Sequence, residues 1–301
     1  MTITAKVVAD SVARSSGVRI TTMEIYYPRM IHSEFMTHRV FARNASSSRA
    51  MPVAKLLSSV WHNPAEPSAW GSNKPGMQAG AELTGWRLEL TKLAWHGARV
   101  GALGAAWLAM KAGAHKQIVN RILEPWSHIR VLVTSTHWSN FWALRDHPDA
   151  DPTIRELARK MHDAYDISTP KILENGEWHM PYINEQDKSN AVIYDAMHNN
   201  GKTVIQEKPE TLLRMSAAHC ARLSYNLFSG AKPTVEADLK LFDQLAGSAP
   251  VHASPLEHQA TPDAINQQTG KWMDPDKHGC FTGFKQFRKY VEGEAIMENY
   301  T

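Results

Sequence analysis

In "NRILEPWSHIRVLVTSTHWSNFWALR", Asn120 to Arg145, apolar residues recur at Ile122, Ile129 and Val133, and with Ile118 upstream they line one face of a helix. The spacing predicts a helical segment from about His115 to Arg145, kinked at Pro125 where the ring removes a backbone donor. That reading leaves "VRITTMEIYYP", Val18 to Pro28, as the strand visible in the residues themselves: it is rich in β-branched and aromatic side chains and stops at a proline. A short helical segment should follow from about Arg29.

Working outward, Pro64, Pro67, Gly71, Pro75 and Gly76 mark a loop. Beyond it Leu83, Trp86, Leu90, Leu93, Val100 and Trp107 recur at spacings of three, four and seven, as one buried face of a long helix requires, with Gly97 and Gly104 on the same stripe. Glycines there suit close packing by another helix. Asp151 before Pro152 reads as an N-cap with proline at the first helical position, opening a helix through Tyr165. Two further helices are expected over 210–223 and 234–245, whereas 168–209 shows weak periodicity and takes no assignment. With no repeat, low-complexity tract or flexible linker, the expectation is one α+β domain over 1–301.

The chain has 301 residues, 43% of them hydrophobic, enough for a sizeable core. Its 33 basic and 30 acidic residues give a net charge of only +3, so no protein-wide field attracts a nucleic-acid polymer and any anion recognition must be local. The apolar run Val100–Met110 is too short to span a bilayer. Two cysteines, Cys220 and Cys280, allow at most one disulfide, and "MTITAKVVADSV" lacks the apolar core of a signal peptide. These features point to a cytoplasmic protein.

"THRVFARNASSSRAMP", Thr37 to Pro52, concentrates Arg39, Arg43 and Arg49 around Ser46, Ser47 and Ser48. Guanidinium forks, hydroxyls and oriented amides are the parts that clamp a phosphate, and alone they would serve a solvated basic loop equally. "NFWALR" sets Asn140 and Arg145 beside Phe141 and Trp142, which suits an aromatic-walled pocket or an aromatic core. "HASPLEH" brings His252, Ser254, Glu257 and His258 into one short segment, but the spacing fits no zinc pattern, and the scattered Cys220, Cys280 and His278 do not complete one. Neither cysteine sits in the setting of an activated nucleophile.

Taken together, these three stretches resemble the flavin-dependent thymidylate synthases. The family signature is Arg-His-Arg, seven residues, then Ser, with an Asn inside the seven and an Arg two positions after the Ser. Here it reads Thr37, His38, Arg39, then Ser47, with Asn44 and Arg49 in place. Thr37 stands at the first Arg, and Ala45 where the family has an acidic residue. Asn120 to Ala158 resembles the Arg-x-x-Leu-Pro, Asn-Phe-x-x-Leu-Arg and Ala-Gln-x-Glu-Ile-Arg elements, placing Arg121, Asn140 and Arg145 on functional positions. Glu124 and Pro125 occupy the Leu-Pro positions and Asp151 that of the Gln. "HASPLEH" resembles the His-x-Ser/Thr-Pro-Phe/Leu-Glu-His segment, and "CARLSYN" before it the Ala-Arg-Val-Cys/Ser-Tyr strand. In the family these two segments come first, so the resemblance implies a circular permutation, tolerable where the original termini lie close together.

The resemblance implies a mixed or antiparallel sheet packed by long helices. It places FAD on His38, Arg39, Asn44, Asn140, Ser254 and Glu257, with His252 near the isoalloxazine and folate. It places the nucleotide on Glu34, Ser47, Arg49, Arg121 and Arg145, with Ser47, Arg49 and Arg121 at the phosphate. Arg145 and His252 would be the catalytic pair, Arg145 polarising the pyrimidine so that carbon 5 becomes nucleophilic without an enzyme thiol. Methylenetetrahydrofolate and NADPH would be cosubstrates in converting dUMP to dTMP, and the assembly a homotetramer with sites between subunits. Glu34 at a family Gln keeps dCMP, and transfer of another one-carbon group, open, since a carboxylate accepts from an amino group. The absence of the first Arg and the acidic residue keeps open an inactive flavin- or nucleotide-binding homologue.

Overall fold

The computed structural model describes residues 2–198, 209–225, 233–248 and 251–294. The fold is α+β, organised on a five-stranded mixed sheet. Strand β1 (Thr4–Ala13) pairs antiparallel with β2 (Arg19–Pro28), and β2 pairs antiparallel with β4 (His128–Ser135). Strand β3 (Ala42–Ala45) closes one edge against β4, and β5 (Lys171–Leu173) lies parallel to β1 at the other, giving the order β3-β4-β2-β1-β5. A separate hairpin joins β6 (Ala260–Pro262) to β7 (Phe284–Gln286).

Side-chain alternation explains the layers. Met23, Ile25 and Tyr27 of β2 and Ile129, Val131 and Val133 of β4 face one side, where α6 (Pro152–Asp166) adds Ile154, Leu157 and Met161. The helix α1 (His32–Phe35), after a 3-10 turn at Arg29–Ile31, and α5 (Ser139–Arg145) contribute Phe35 and Phe141 to the same core. The opposite face of β3 and β4 is covered by α8 (Glu210–Tyr225). Helices α2 (Val53–His62), α3 (Gly85–Lys111) and α4 (Lys116–Ile122) form their own cluster through Leu56, Val60, Leu103, Ala106 and Val119. Helices α7 (Glu185–His198) and α9 (Val235–Ala246) pack on α8.

The segment His115–Arg145 is not one kinked helix. It is α4, a 3-10 turn at Glu124–Trp126, β4 and α5. Seven of the eight β4 residues are buried, because both faces of this inner strand are covered. A strand buried on both sides reads as a continuous apolar run, and a 3.6-residue period can be picked out of such a run by chance.

The α3 helix exists as expected, but its orientation is inverted. Trp86, Leu90, Leu93, Val100 and Trp107 are exposed, and the buried side carries Leu103 and Ala106. The cap at Asp151 is as read: its carboxylate accepts from the Thr153 and Ile154 amides at 2.9 and 3.2 Å. "CARLSYN" does not form a strand; its residues through Tyr225 continue α8, and Asn226 lies outside the described residues. The stretch near the end, "GCFTGFKQFRKY", forms β7 and a 3-10 turn at Phe287–Tyr290 with Phe284 and Phe287 buried.

Candidate functional site

The stretch from Thr37 to Pro52 runs past three groups of the candidate residues. The first gathers around Arg145 at the end of α5. Its Nε–H donates to His38 Nε2 at 3.1 Å, one NH2 donates to Thr37 Oγ1 at 3.2 Å, and its remaining nitrogen lies 3.9 Å from Glu34 Oε2. His38 must therefore accept at Nε2 and carry its proton on Nδ1. That tautomer is neutral, and burial followed by the nearby Arg145 and Arg43 charges pushes the His38 pKa down to about 4. Phe41 stacks on the His38 ring and Phe141 meets it edge-on, fixing its plane. Thr37 takes a specific place here: its hydroxyl accepts from Arg145 and donates to the Glu34 carbonyl at 2.7 Å. An arginine at this position would set two guanidiniums against each other. Burial, then Asp151, raises the Glu34 pKa, with Arg145 acting in the opposite direction.

The second group is a cleft of about 460 Å³ lined by Arg49, Gln117, Ile118 and Arg121. Its two cations converge because α4 grips the 3-10 turn at Ser48–Ala50 that carries Arg49. The buried Asn120 amide donates to the Ser48 and Met51 carbonyls at 2.7 and 2.9 Å, and Ser48 Oγ donates to Glu124 at 2.6 Å. Glu124, where the resembled motif has leucine, thus anchors the loop. Ser47 sits at the start of that turn, half-buried, its carbonyl accepting from Ala50 N at 3.1 Å.

The third group lines a cavity of about 340 Å³: Arg39, Arg43, Glu257, Cys280, Gln286, Arg288 and Lys289 among others. Glu257 pairs with Arg288, which also holds Glu294 at 2.7 Å, and burial raises the Glu257 pKa against that pairing. Arg43 is half-buried; burial lowers its pKa, and its guanidinium donates to the Met36 carbonyl at 2.9 Å. Among the described residues no carboxylate lies within ion-pair distance of it or of Arg39. Arg39, Arg43, Arg288 and Lys289 thus face this cavity with the Glu257 carboxylate, and the excess of cations suits an anion such as a phosphate ester.

The remaining candidates are not drawn into these groups. Asn44 is buried, and its amide donates to the Cys220 carbonyl at 2.6 Å, tying β3 to α8. Asn140 is exposed in the first turn of α5. Ser254, which opens a 3-10 turn, and His252 two residues before it are exposed, and no hydrogen bond or ring contact joins His252 to Arg145 among the described residues. Arg288, Lys289 and Gln286 also line the third cavity, and their signal in the sequence is the basic and aromatic composition of the terminal segment.

The residues partly fit the FAD that the resemblance implies: Arg39 and Arg43 suit its phosphates, while Asn44 is committed inward. Neither thiol is poised for nucleophilic chemistry, since burial pushes Cys220 strongly up and Cys280 up to about 11.

No family model matches the chain, and no curated protein matches it. Among solved structures it is similar to the UMP/dUMP methylase PolB of Streptomyces cacaoi bound with 5-Br UMP, at 16% identity and a TM-score of 0.45, over 55% of this chain and 88% of that one. The same protein bound with 5-Br dUMP gives 16% identity and a TM-score of 0.44, over 55% of this chain and 90% of that one. No helix of the described residues is long and apolar enough to cross a membrane.

Proposed function

We propose that the chain binds a pyrimidine nucleoside monophosphate and modifies it at carbon 5, as a flavin-dependent thymidylate synthase does with dUMP. The observation that carries this reading is the meeting of two motifs 107 residues apart: the Arg145 guanidinium of "NFWALR" rests on His38 of "THRVFARNASSSRAMP". A neutral imidazole that only accepts from Arg145 orients the guanidinium without adding a charge beside it. A cation held in this way stabilises negative charge developing on a pyrimidine carbonyl oxygen, which concentrates electron density at carbon 5.

Arg49 and Arg121 suit the nucleotide phosphate, with Ser47 beside them. They line a cleft distinct from the Arg145 group, and assembly into the homotetramer that the resemblance implies would let one site draw on both groups from different copies. FAD supplies redox and one-carbon transfer chemistry when bound. The chain's share is to hold its phosphates with Arg39 and Arg43, to orient the pyrimidine with Arg145, and to keep the imidazole at His38 neutral. NADPH and methylenetetrahydrofolate would be the reductant and carbon donor.

Titration calorimetry with dUMP and with deoxyuridine tests the nucleotide reading. Wild type should prefer dUMP, and Arg49→Ala should reduce that preference about 10- to 100-fold; equal affinity of wild type for both compounds refutes it. Glu34 favours dCMP as a second reading, because its carboxylate beside Arg145 can accept from the exocyclic amino group. Binding of dUMP with dCMP ignored removes that reading.

A further inference from the structure

Helix α3 turns an unpartnered apolar seam to solvent. Trp86, Leu90, Leu93, Val100, Trp107 and Leu108 are 72, 56, 68, 51, 49 and 62% exposed, although they follow the three–four spacing of a packed helix face. Gly97, Gly101 and Gly104 lie on that face, and at about 100° per residue the whole set falls within half the helix circumference. Glycine is the poorest helix former after proline, so three in one helix interior call for a reason. None exists among the described residues: a Cβ built on any of the three meets nothing within 4 Å.

We propose that this seam docks on the same seam of a second copy of the chain, the two α3 helices running antiparallel and crossing at Gly97. The arrangement of sizes selects this partner and this direction. Trp86, Leu90 and Leu93 lie on the N-terminal side of Gly97, and Gly101 and Gly104 lie on its C-terminal side among Val100, Trp107 and Leu108. A two-fold axis at Gly97 sets Leu90 over Gly104 of the other copy, Leu93 over Gly101, Val100 over Ala94, and Trp86 against Leu108. Leu90, Leu93 and Val100 thus each meet a small residue. A parallel pairing instead sets leucine on leucine and leaves glycine facing glycine across a void, with the helix dipoles aligned.

The surface is large enough. The exposed fractions of the six residues amount to about 700 Å² of apolar area per copy, near the roughly 800 Å² per partner of a stable interface. The interface stands whether or not the nucleotide reading does, because none of its residues belongs to the candidate site.

Sedimentation velocity at micromolar concentration, with cysteine cross-linking, tests it. Wild type should sediment as a dimer or a multiple of one, and Leu93→Glu, at an exposed position that leaves circular dichroism unchanged, should halve the assembly size. Mild oxidation should cross-link Gly97→Cys, where the two sulfurs meet at the axis. It should spare Arg87→Cys, whose copies lie about 30 Å apart along antiparallel helices. A monomeric wild type, an assembly unaffected by Leu93→Glu, or cross-linking of Arg87→Cys in place of Gly97→Cys overturns the proposal. So does binding of the monomer to phosphatidylcholine vesicles through this seam.

Discussion

Two fully buried histidines make the fold acid-labile, and replacing them should remove most of that lability. A hydrogen-bonded row crosses the sheet: Ser11 Oγ to His179 Nδ1 at 2.9 Å, His179 Nε2 to Thr22 Oγ1 at 2.8 Å, Thr22 to Thr134 at 2.6 Å, and Thr134 to His258 Nδ1 at 2.8 Å. Its hydroxyls engage both ring nitrogens of His179 and Nδ1 of His258, and among the described residues no carboxylate bonds to either ring. Burial pushes His179 down to about 4 and His258, with His179 nearby, down to about 3, from an ordinary 6.5. Below pH 6.5 the unfolded chain therefore binds more protons than the folded one, so stability falls as pH falls and levels off only below the folded values. At pH 5 each histidine costs about 2 kcal/mol relative to pH 8, a figure insensitive to the folded pKa once that lies below 5. The pair thus removes about 4 kcal/mol, a large share of a typical folding free energy. Urea unfolding of wild type and of His179→Gln/His258→Gln at pH 8 and pH 5 measures it. The double variant starts less stable at pH 8 but should lose about 4 kcal/mol less on acidification. An equal pH-dependent loss in both proteins would refute the reasoning.

Other outcomes follow from the same packing. Arg49→Ala and Arg121→Ala should each weaken dUMP binding about 10- to 100-fold, the worth of a hydrogen bond to a charged group, and leave deoxyuridine binding unchanged in calorimetry. Asn120→Ala removes the buried amide that grips the Ser48 and Met51 carbonyls, so it should cost about 1–3 kcal/mol in chemical unfolding and also weaken dUMP binding through Arg49. Asp238→Ala strips the buried carboxylate that holds His219 at 2.8 Å and Arg222 at 3.1 Å, and should lower stability by about 3–5 kcal/mol, whereas Asp243→Ala on the exposed flank of α9 should lower it far less.

What was legible in the sequence was local. The Val18–Pro28 strand, the Asp151 cap, and the helices of 210–223 and 234–245 follow from turn residues, caps and period, and they stand within a few residues of the expectation. What was hidden depended on neighbours. Strand β4 is buried on both faces only because α6 and α8 cover it, and no alternation survives to mark it. The apolar stripe of α3 was found, but its period could not say whether the covering surface belongs to this chain. In the site, the residue types of Thr37–Pro52 announced an anion, and the pairing of His38 with Arg145 required the fold. Thr37 and Glu124 looked like departures from a motif; in space each holds a partner, Arg145 and Ser48.

The central claim is carbon-5 modification of a pyrimidine nucleotide with Arg145 at the ring. Its most direct test supplies FAD, NADPH and methylenetetrahydrofolate with dUMP or dCMP and identifies the product by mass. The account predicts a nucleotide heavier by one methylene unit from one of the two, lost in Arg145→Ala while that variant still binds FAD. Unchanged nucleotide from both substrates, or full turnover in Arg145→Ala, would contradict it.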